Sequence, residues 1–212
     1  MKVINNTLKL ALMLIVIMAY SISANAQNYN QEEKFLQRVK ERVKLMNDYV
    51  SYMASKSYKK DTKKYYLKKS LPLFIGNGYE YEENGVTKKG VTMQTTSVNN
   101  DKVKTTLIRD YFKHLVGLPY AIVDIKSTEI ADMKVSGLKK VDSYGNKTLY
   151  TCTCQYVQYF IGGYKDGYFY KDKTTKRIVC YVETEETEDG QEYMIKLGDV
   201  EAIHTEDYNI KE

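Results

Sequence analysis

KTLYTCTCQYVQYFI, residues Lys147–Ile161, is rich in Tyr, Thr and Val, which are strong strand formers. Turn residues enclose this segment, at Asp142–Asn146 on one side and at Gly162–Gly167 on the other. From Tyr120 onward the apolar residues recur with a period of two, which is the period of a half-buried strand. The segment is therefore predicted to be a strand of an antiparallel sheet.

Similar segments lie on both sides of this strand. One long strand or two short strands are expected within Ala121–Val141, and Lys176–Glu186 predicts another. Glu188-Asp189-Gly190 is a tight turn, and a last strand follows it at Gln191–His204 with a break near Gly198. Together these segments predict a sheet of about four antiparallel strands.

Three helices are predicted ahead of this sheet. The first covers 31–56, where an apolar stripe recurs every three or four residues. Its members are Phe35, Val39, Val43, Met46, Val50 and Met53. The second helix is expected to follow Asp61 as N-cap and to end at Pro72. The third spans roughly 103–117, with glycine and proline ending it.

A hairpin is predicted between the second and third helices. Asn84-Gly85 separates Tyr79–Glu83 from Val86–Lys89, and Asn-Gly between alternating residues is the strongest short hairpin signal. Helices and strands are segregated along the chain rather than alternating, which indicates an α+β fold. We therefore expect three N-terminal helices with an early β-hairpin, packed on a curved antiparallel sheet of about four strands.

The first 26 residues have the pattern of a cleavable export signal. Two lysines are the only charges, Leu10–Ala19 is a short apolar run, and Ala24-Asn25-Ala26 matches an A-x-A cleavage site. The run is too short for a transmembrane helix, which needs about 20 residues. We expect residues 1–26 to be removed and 27–212 to form a single α+β domain. That domain would be periplasmic or extracellular, with no stable membrane insertion.

Composition narrows the expected partners. The chain has 32 Lys and Arg against 27 Asp and Glu. Since the leader carries two Lys and no acid, the mature charge is only +3, which argues against nucleic acid as a partner. The 21 Tyr and absence of Trp suit half-exposed sheet faces or wet interfaces. The partners expected are a small molecule, a glycan or an envelope protein, and a homodimer is a further option.

The order of elements over about 31–204 resembles the nuclear transport factor 2-like cone. In that family a bent antiparallel sheet wraps three N-terminal helices, with an early hairpin between the second and third. A cystatin-like sheet around a helix is the competing topology. The resemblance implies a fold but no single function, because the family includes isomerases, dehydratases, epoxide hydrolases and non-catalytic binding modules. In length and composition the chain also resembles small exported proteins of Bacteroidetes.

One residue pair is a candidate for catalysis. His114 follows Asp110 by four residues on the same face of the third predicted helix. In a cone-fold enzyme this pair would orient an imidazole for proton transfer; the alternative is a surface histidine beside an acid. The sequence shows no spacing typical of zinc or calcium sites, no nucleophile elbow and no dinucleotide fingerprint. We therefore expect no metal and no cofactor.

Tyr168, Phe169 and Tyr170 form an aromatic segment with polar tips. If it is exposed, the segment is a candidate ligand-binding surface, because Tyr and Phe anchor interfaces. If it is buried, it closes the sheet as a short strand. The sequence leaves both alternatives open.

Three cysteines follow the predicted leader. Cys152 and Cys154 lie two apart on a predicted strand, so they point to the same face and do not easily bond each other. An oxidising compartment permits a disulfide of Cys180 with Cys152 or with Cys154. Three buried thiols are the alternative.

Export, near-neutral charge, many tyrosines and the lack of a catalytic constellation favour a non-catalytic binding or accessory module of the bacterial envelope. One alternative is a small cone-fold isomerase, hydratase or lyase that uses His114 and Asp110. Another is a structural subunit of an envelope assembly, joined through an exposed sheet face.

Overall fold

The computed structural model describes residues 31–83, 85–188 and 190–208 of the chain. The predicted leader lies outside the described residues. The chain divides into two units, one ending at Gln37 and the other spanning Arg38–Glu212. All the strands and the candidate site belong to the second unit.

Three α-helices occur among the described residues: α1 over 31–54, α2 over Lys60–Ser70 and α3 over Ile108–Val116. The apolar stripe predicted for α1 is buried, which confirms that helix. Its fully buried members in the second unit are Val39, Val43, Met46, Val50 and Met53. Because these residues recur at helical spacing, one face of α1 lies in the core.

Two predicted helix starts are wrong. α2 begins at Lys60, so Asp61 lies in its first turn rather than at the cap, where its charge still favours the helix dipole. The third helix does not include Val103, since Asn100–Leu107 is a strand and α3 begins at Ile108. Valine and threonine in that segment suit a strand that pairs with a neighbour.

Ten strands occur among the described residues. β1 (Tyr81–Glu83) and β2 (Val86–Lys88) pair antiparallel as a separate small sheet. They flank Asn84-Gly85, where the hairpin is predicted, and Asn84 itself lies outside the described residues. The strands of the large sheet are β3 (Thr92–Ser97), β4 (Asn100–Leu107), β5 (Ile122–Ser127), β6 (Lys134–Val135), β7 (Lys139–Tyr144), β8 (Lys147–Gly163), β9 (Phe169–Thr187) and β10 (Gly190–Asp207).

The large sheet is mixed and has eight strands, so the prediction of about four strands is too small, although the predicted strands β5, β8, β9 and β10 do pair antiparallel. Its order is β4-β3-β10-β9-β8-β5, and β6 and β7 also pair with β8. β3 and β10 pair in parallel at Met93 and Val200, whereas the other pairs are antiparallel. Segments that looked separate in the sequence join into long strands, because β9 contains both Tyr170 and Lys176–Glu186.

A bulge interrupts β10 where the break near Gly198 is predicted. The register against β9 shifts between Leu197 and Val200. Asp199, in this bulge, accepts hydrogen bonds from the backbone nitrogen and the Oγ1 of Thr92, at 2.7 and 2.9 Å. The bulge therefore connects β10 to β3, the strand that it pairs with in parallel.

The part of α1 that belongs to the second unit, residues 38–54, contacts β10 and β8. The Arg42 guanidinium donates to the Ile195 carbonyl of β10 at 3.1 and 3.0 Å. Gln158 of β8 donates through Nε2 to Oδ1 of the buried Asn47 at 3.2 Å. These bonds orient the apolar face of α1 toward the sheet, and the core lies between the two.

Candidate functional site

β9 changes the character of its inward face halfway along its length. Every second residue over most of the strand is buried. Ile178 and Cys180 on this face are apolar, whereas Asp172 and Thr174 nearer the start of the strand are polar. Lys176 lies at the boundary. Since alternate residues of a strand point to the same side, all five share one face.

A cavity of about 320 Å³ lies over the polar half of this face. Its wall is built by β3, β4, β5, β8, β9 and α3, together with the segment between α3 and β5. The residues of the two central strands and of α3 that line it are Gln158, Phe160, Tyr170, Asp172, Thr174, Lys176, Tyr111, His114 and Leu115. A volume of this order suits a small organic molecule.

Lys176 is the buried cation of the cavity, with only 2% of the residue exposed. Its Nζ lies 3.5 Å from the Met93 sulfur and 5.8 Å from the centroid of the Tyr111 ring. Burial lowers the pKa of Lys176 to about 8, because water no longer stabilises the ammonium form. Within the described part of the chain, no carboxylate pairs with this amine.

Asp172 is the buried anion of the same strand face, and 4% of it is exposed. One of its oxygens accepts a hydrogen bond from the backbone nitrogen of Val98 at 3.1 Å. Burial first, and a hydrogen bond to this carboxylate second, raise the pKa of Tyr170. Asp172 is four residues from Lys176, or about 13 Å along a strand, so the two charges do not pair directly.

An aromatic chain forms one wall of the cavity. Its rings follow one another in the order Tyr170, Phe160, Tyr120, Tyr164 and Tyr168, with centroid separations of 5.7, 5.5, 4.8 and 6.3 Å. Burial raises the pKa of Tyr120 to about 12, and its hydrogen bond with Tyr164 adds to this. The tilted and edge-to-face geometries are those that aromatic side chains prefer. The first three rings line the cavity.

The predicted aromatic ligand-binding segment is divided between two environments. Tyr170 lines the cavity, while Tyr168 and Phe169 are 57% and 50% exposed. Each sequence alternative therefore applies to part of the segment, since Tyr170 faces inward and the other two lie at the surface. Ligand binding by Tyr168 and Phe169 stays a prediction.

His114 lies at the cavity, but its predicted partner points elsewhere. His114 is an exposed residue of α3 that contributes to the lining. Among the described residues, Asp110 pairs with Lys113 at 3.0 Å. Lys102 and Lys104 of β4 are also exposed lining residues, so cations surround the mouth of the cavity. A catalytic role for His114 and Asp110 stays a prediction.

The three cysteines are buried free thiols on the inward face of the sheet. Cys152 of β8 lies directly opposite Cys180 of β9, whereas Cys154 lies opposite Ile178. The hydrogen bond with Cys152, followed by burial, raises the pKa of Cys180. The register therefore favours Cys152 over Cys154 as the partner in the predicted disulfide.

Sequence reasoning misses Lys176, Asp172 and Thr174 as site residues. The sequence does carry a signal for them, because the same alternating positions of one strand are apolar over 178–182 and polar over 172–176. Recognising that signal requires knowing that both halves form one strand. Predicting 168–170 and 176–186 as separate strands removes the continuity on which it depends.

The described residues contain neither a cluster of metal ligands nor a helix suited to a bilayer. In that part of the chain, no group of three or more His, Cys, Asp or Glu side chains is arranged to hold a metal ion. None of the described helices combines the length and the apolar character needed to cross a bilayer.

Comparison with known proteins shows no family for the chain. No family model matches it, and no curated protein matches it. A solved structure from Novosphingobium aromaticivorans, provisionally described as a scytalone dehydratase, overlaps 86% of this chain and 93% of its own, with 12% sequence identity and a TM-score of 0.34. A likeness of this size carries no argument about fold or function. The resemblance to the cone family therefore stays a prediction.

Proposed function

We propose that the protein is an exported module that binds a small molecule in the cavity beside Lys176. The observation that carries this proposal is the polar half of the buried face of β9. Burying Asp172 and Lys176 without a mutual ion pair is unfavourable for folding. Apolar residues at those positions would suit a sheet that only had to be stable, so the polar face is better explained by a ligand.

The lining supports the same proposal through its mixed chemistry. Phe160, Leu115 and Ile125 offer apolar surface, while the polar residues Thr174 and Gln158 line the same space. A largely apolar wall with a few convergent polar groups is typical of small-molecule sites. Gln158 is held in place by its hydrogen bond to Asn47, which fixes the orientation of its amide.

Binding is tested by a thermal-shift screen of the purified protein against metabolites, glycans and bile acids. A ligand that binds the native state alone raises the melting temperature. Thr106→Phe places a ring in the cavity and should abolish the shift, because Thr106 is a lining residue. Thr105→Phe is the matched control, since Thr105 is the preceding residue of β4, is exposed and does not line the cavity.

The outcomes separate this proposal from a structural role. A shift that Thr105→Phe retains and Thr106→Phe loses supports binding in the cavity. Shifts that both variants retain would place the binding elsewhere, at the exposed Tyr168 and Phe169 for example. No shift with any compound would favour a structural subunit of an envelope assembly.

Export is tested by locating the protein in cells that produce it at its natural level and by identifying its first residue. The proposal predicts a chain outside the cytoplasm whose first residue is Gln27, because Ala24-Asn25-Ala26 matches a signal cleavage site. Fractionation followed by N-terminal sequencing measures both properties. A cytoplasmic chain that begins at Met1 contradicts this part of the proposal and leaves the cavity unaffected.

One observation supports the enzyme alternative, namely that His114 lines the same cavity. A catalytic imidazole would convert the bound compound, so His114→Ala should retain binding and lose conversion. Under the binding proposal the compound is recovered unchanged from the wild-type protein. Mass spectrometry of the compound after incubation with each variant distinguishes the two functions.

A further inference from the structure

The Lys176 amine is a buried charge that has no counter-ion among the described residues. Its contacts are a thioether and an aromatic ring, those of Met93 and Tyr111. A ring face attracts a cation weakly compared with a carboxylate. Lys176 is a lining residue of the cavity, so a molecule bound in the cavity lies beside this side chain.

The other charges of the cavity favour an anion as well. Lys102 and Lys104 contribute two exposed ammonium groups to the lining, and Asp172 contributes the one carboxylate among the described lining residues. That carboxylate already accepts hydrogen bonds from Val98 and from Tyr170. Among the described lining residues the positive groups outnumber the carboxylates, and the amine of Lys176 is the most buried of them.

We propose that the ligand is an organic carboxylate whose anionic group pairs with the Lys176 amine while its apolar body lies against Phe160 and Tyr120. This inference rests on the proposed binding function and adds the chemical class of the ligand. Pairing with an anion compensates the buried ammonium, and the aromatic wall provides the apolar surface that the rest of such a molecule needs.

The inference has a defined pH dependence. The titratable groups that face or surround Lys176 are Tyr111 and His114 of α3, Tyr156 opposite it on β8, Asp172 on its own strand, and Lys102 and Lys104 of β4. A bound carboxylate favours the charged amine and raises the pKa of Lys176 above its unliganded value of about 8. Carboxylate affinity is therefore steady near pH 7 and falls as the amine loses its proton at higher pH.

Isothermal titration calorimetry with matched pairs of compounds tests the ligand class. Hexanoate is compared with hexanamide and benzoate with benzamide, because each pair differs mainly in the charge of one group. At pH 7 the wild-type protein should bind at least one carboxylate about tenfold or more tightly than its amide. Lys176→Met should abolish that preference. Lys171→Met should retain it, because Lys171 lies on the opposite face of β9.

The pH profile of the wild-type protein gives a second measurement that needs no variant. The preference for the carboxylate should shrink between pH 8 and pH 10.5.

Equal binding of acid and amide, or a preference that survives in Lys176→Met, overturns the inference. A third outcome is that the amides bind as tightly as the carboxylates and that Thr106→Phe abolishes the binding of both. That result would overturn the ligand class, while the binding function would stand. Absence of any cavity-dependent binding would refute the binding function itself.

Discussion

Replacing Lys176 with methionine should stabilise the protein. The ordinary pKa of lysine is 10.5, and burial lowers that of Lys176 to about 8. Each unit of difference between the folded and unfolded pKa corresponds to about 1.4 kcal/mol. The buried ammonium therefore costs about 3 kcal/mol of folding free energy at pH 7. Methionine has a similar length and no charge, so Lys176→Met should raise the free energy of unfolding by about that amount.

The stability that Lys176→Met gains over the wild-type protein should decrease as pH rises, because the pKa of Lys176 is lowered in the folded protein. Below pH 8 the amine is charged in both the folded and the unfolded chain, and the full cost is present. Between pH 8 and 10.5 the folded protein loses this proton while the unfolded chain keeps it, so the cost declines as pH rises. Above pH 10.5 the cost is absent. The stability of the wild-type protein should therefore approach that of Lys176→Met over this window.

Urea denaturation at pH 7, 8, 9 and 10 measures the difference between the two proteins. Comparing them at each pH removes the titration of the other lysines and tyrosines. Lys171→Met, on the opposite face of β9, is the control and should show little difference from wild type at any of these values. A Lys176→Met protein that is less stable at pH 7, or a gap that stays constant up to pH 10, would refute the reasoning.

Three further predictions concern the core, the surface and the cysteines. Met46→Ala removes a fully buried side chain of α1 and should lower the free energy of unfolding by about 2–5 kcal/mol. Arg177→Ala removes an ion pair whose side chains are about half exposed and should cost less than about 1 kcal/mol, measured by the same denaturation. Oxidised protein should contain a disulfide between Cys152 and Cys180, which face each other across β8 and β9, with Cys154 left as a buried thiol that is alkylated only after unfolding. Fragmentation mass spectrometry of the unreduced linked peptide identifies the bonded cysteine, and a disulfide through Cys154 would contradict the register.

Local patterns predicted those elements whose periodicity is strong. The α1 stripe of Val43, Met46 and Val50 is buried because it recurs at helical spacing over many turns. The period of two over Lys147–Ile161 corresponds to β8, and the break near Gly198 corresponds to a shift of register in β10. In each case the residues themselves contain the signal, whatever the rest of the chain does.

Elements that depend on distant partners were predicted less well. Val103 and Leu107 fit a helical period, yet their segment is a strand because it pairs with β3, where Leu107 lies opposite Thr92. β3 in turn pairs in parallel with β10, whose Val200 is more than a hundred positions away along the chain. Pairing of this kind is a tertiary property, so it overrides the local pattern.

The candidate site shows the same division between local signal and tertiary context. Histidine is a familiar catalytic residue, and His114 is placed at the cavity, but Asp110 pairs with Lys113 instead. Lys176 is one of many lysines in the sequence and becomes informative only once its strand position is known to be buried. A sheet selected for stability alone would have an apolar residue there. If Lys176→Met is more stable and loses its preference for carboxylates, the two results together indicate that the stability lost at this position serves ligand binding.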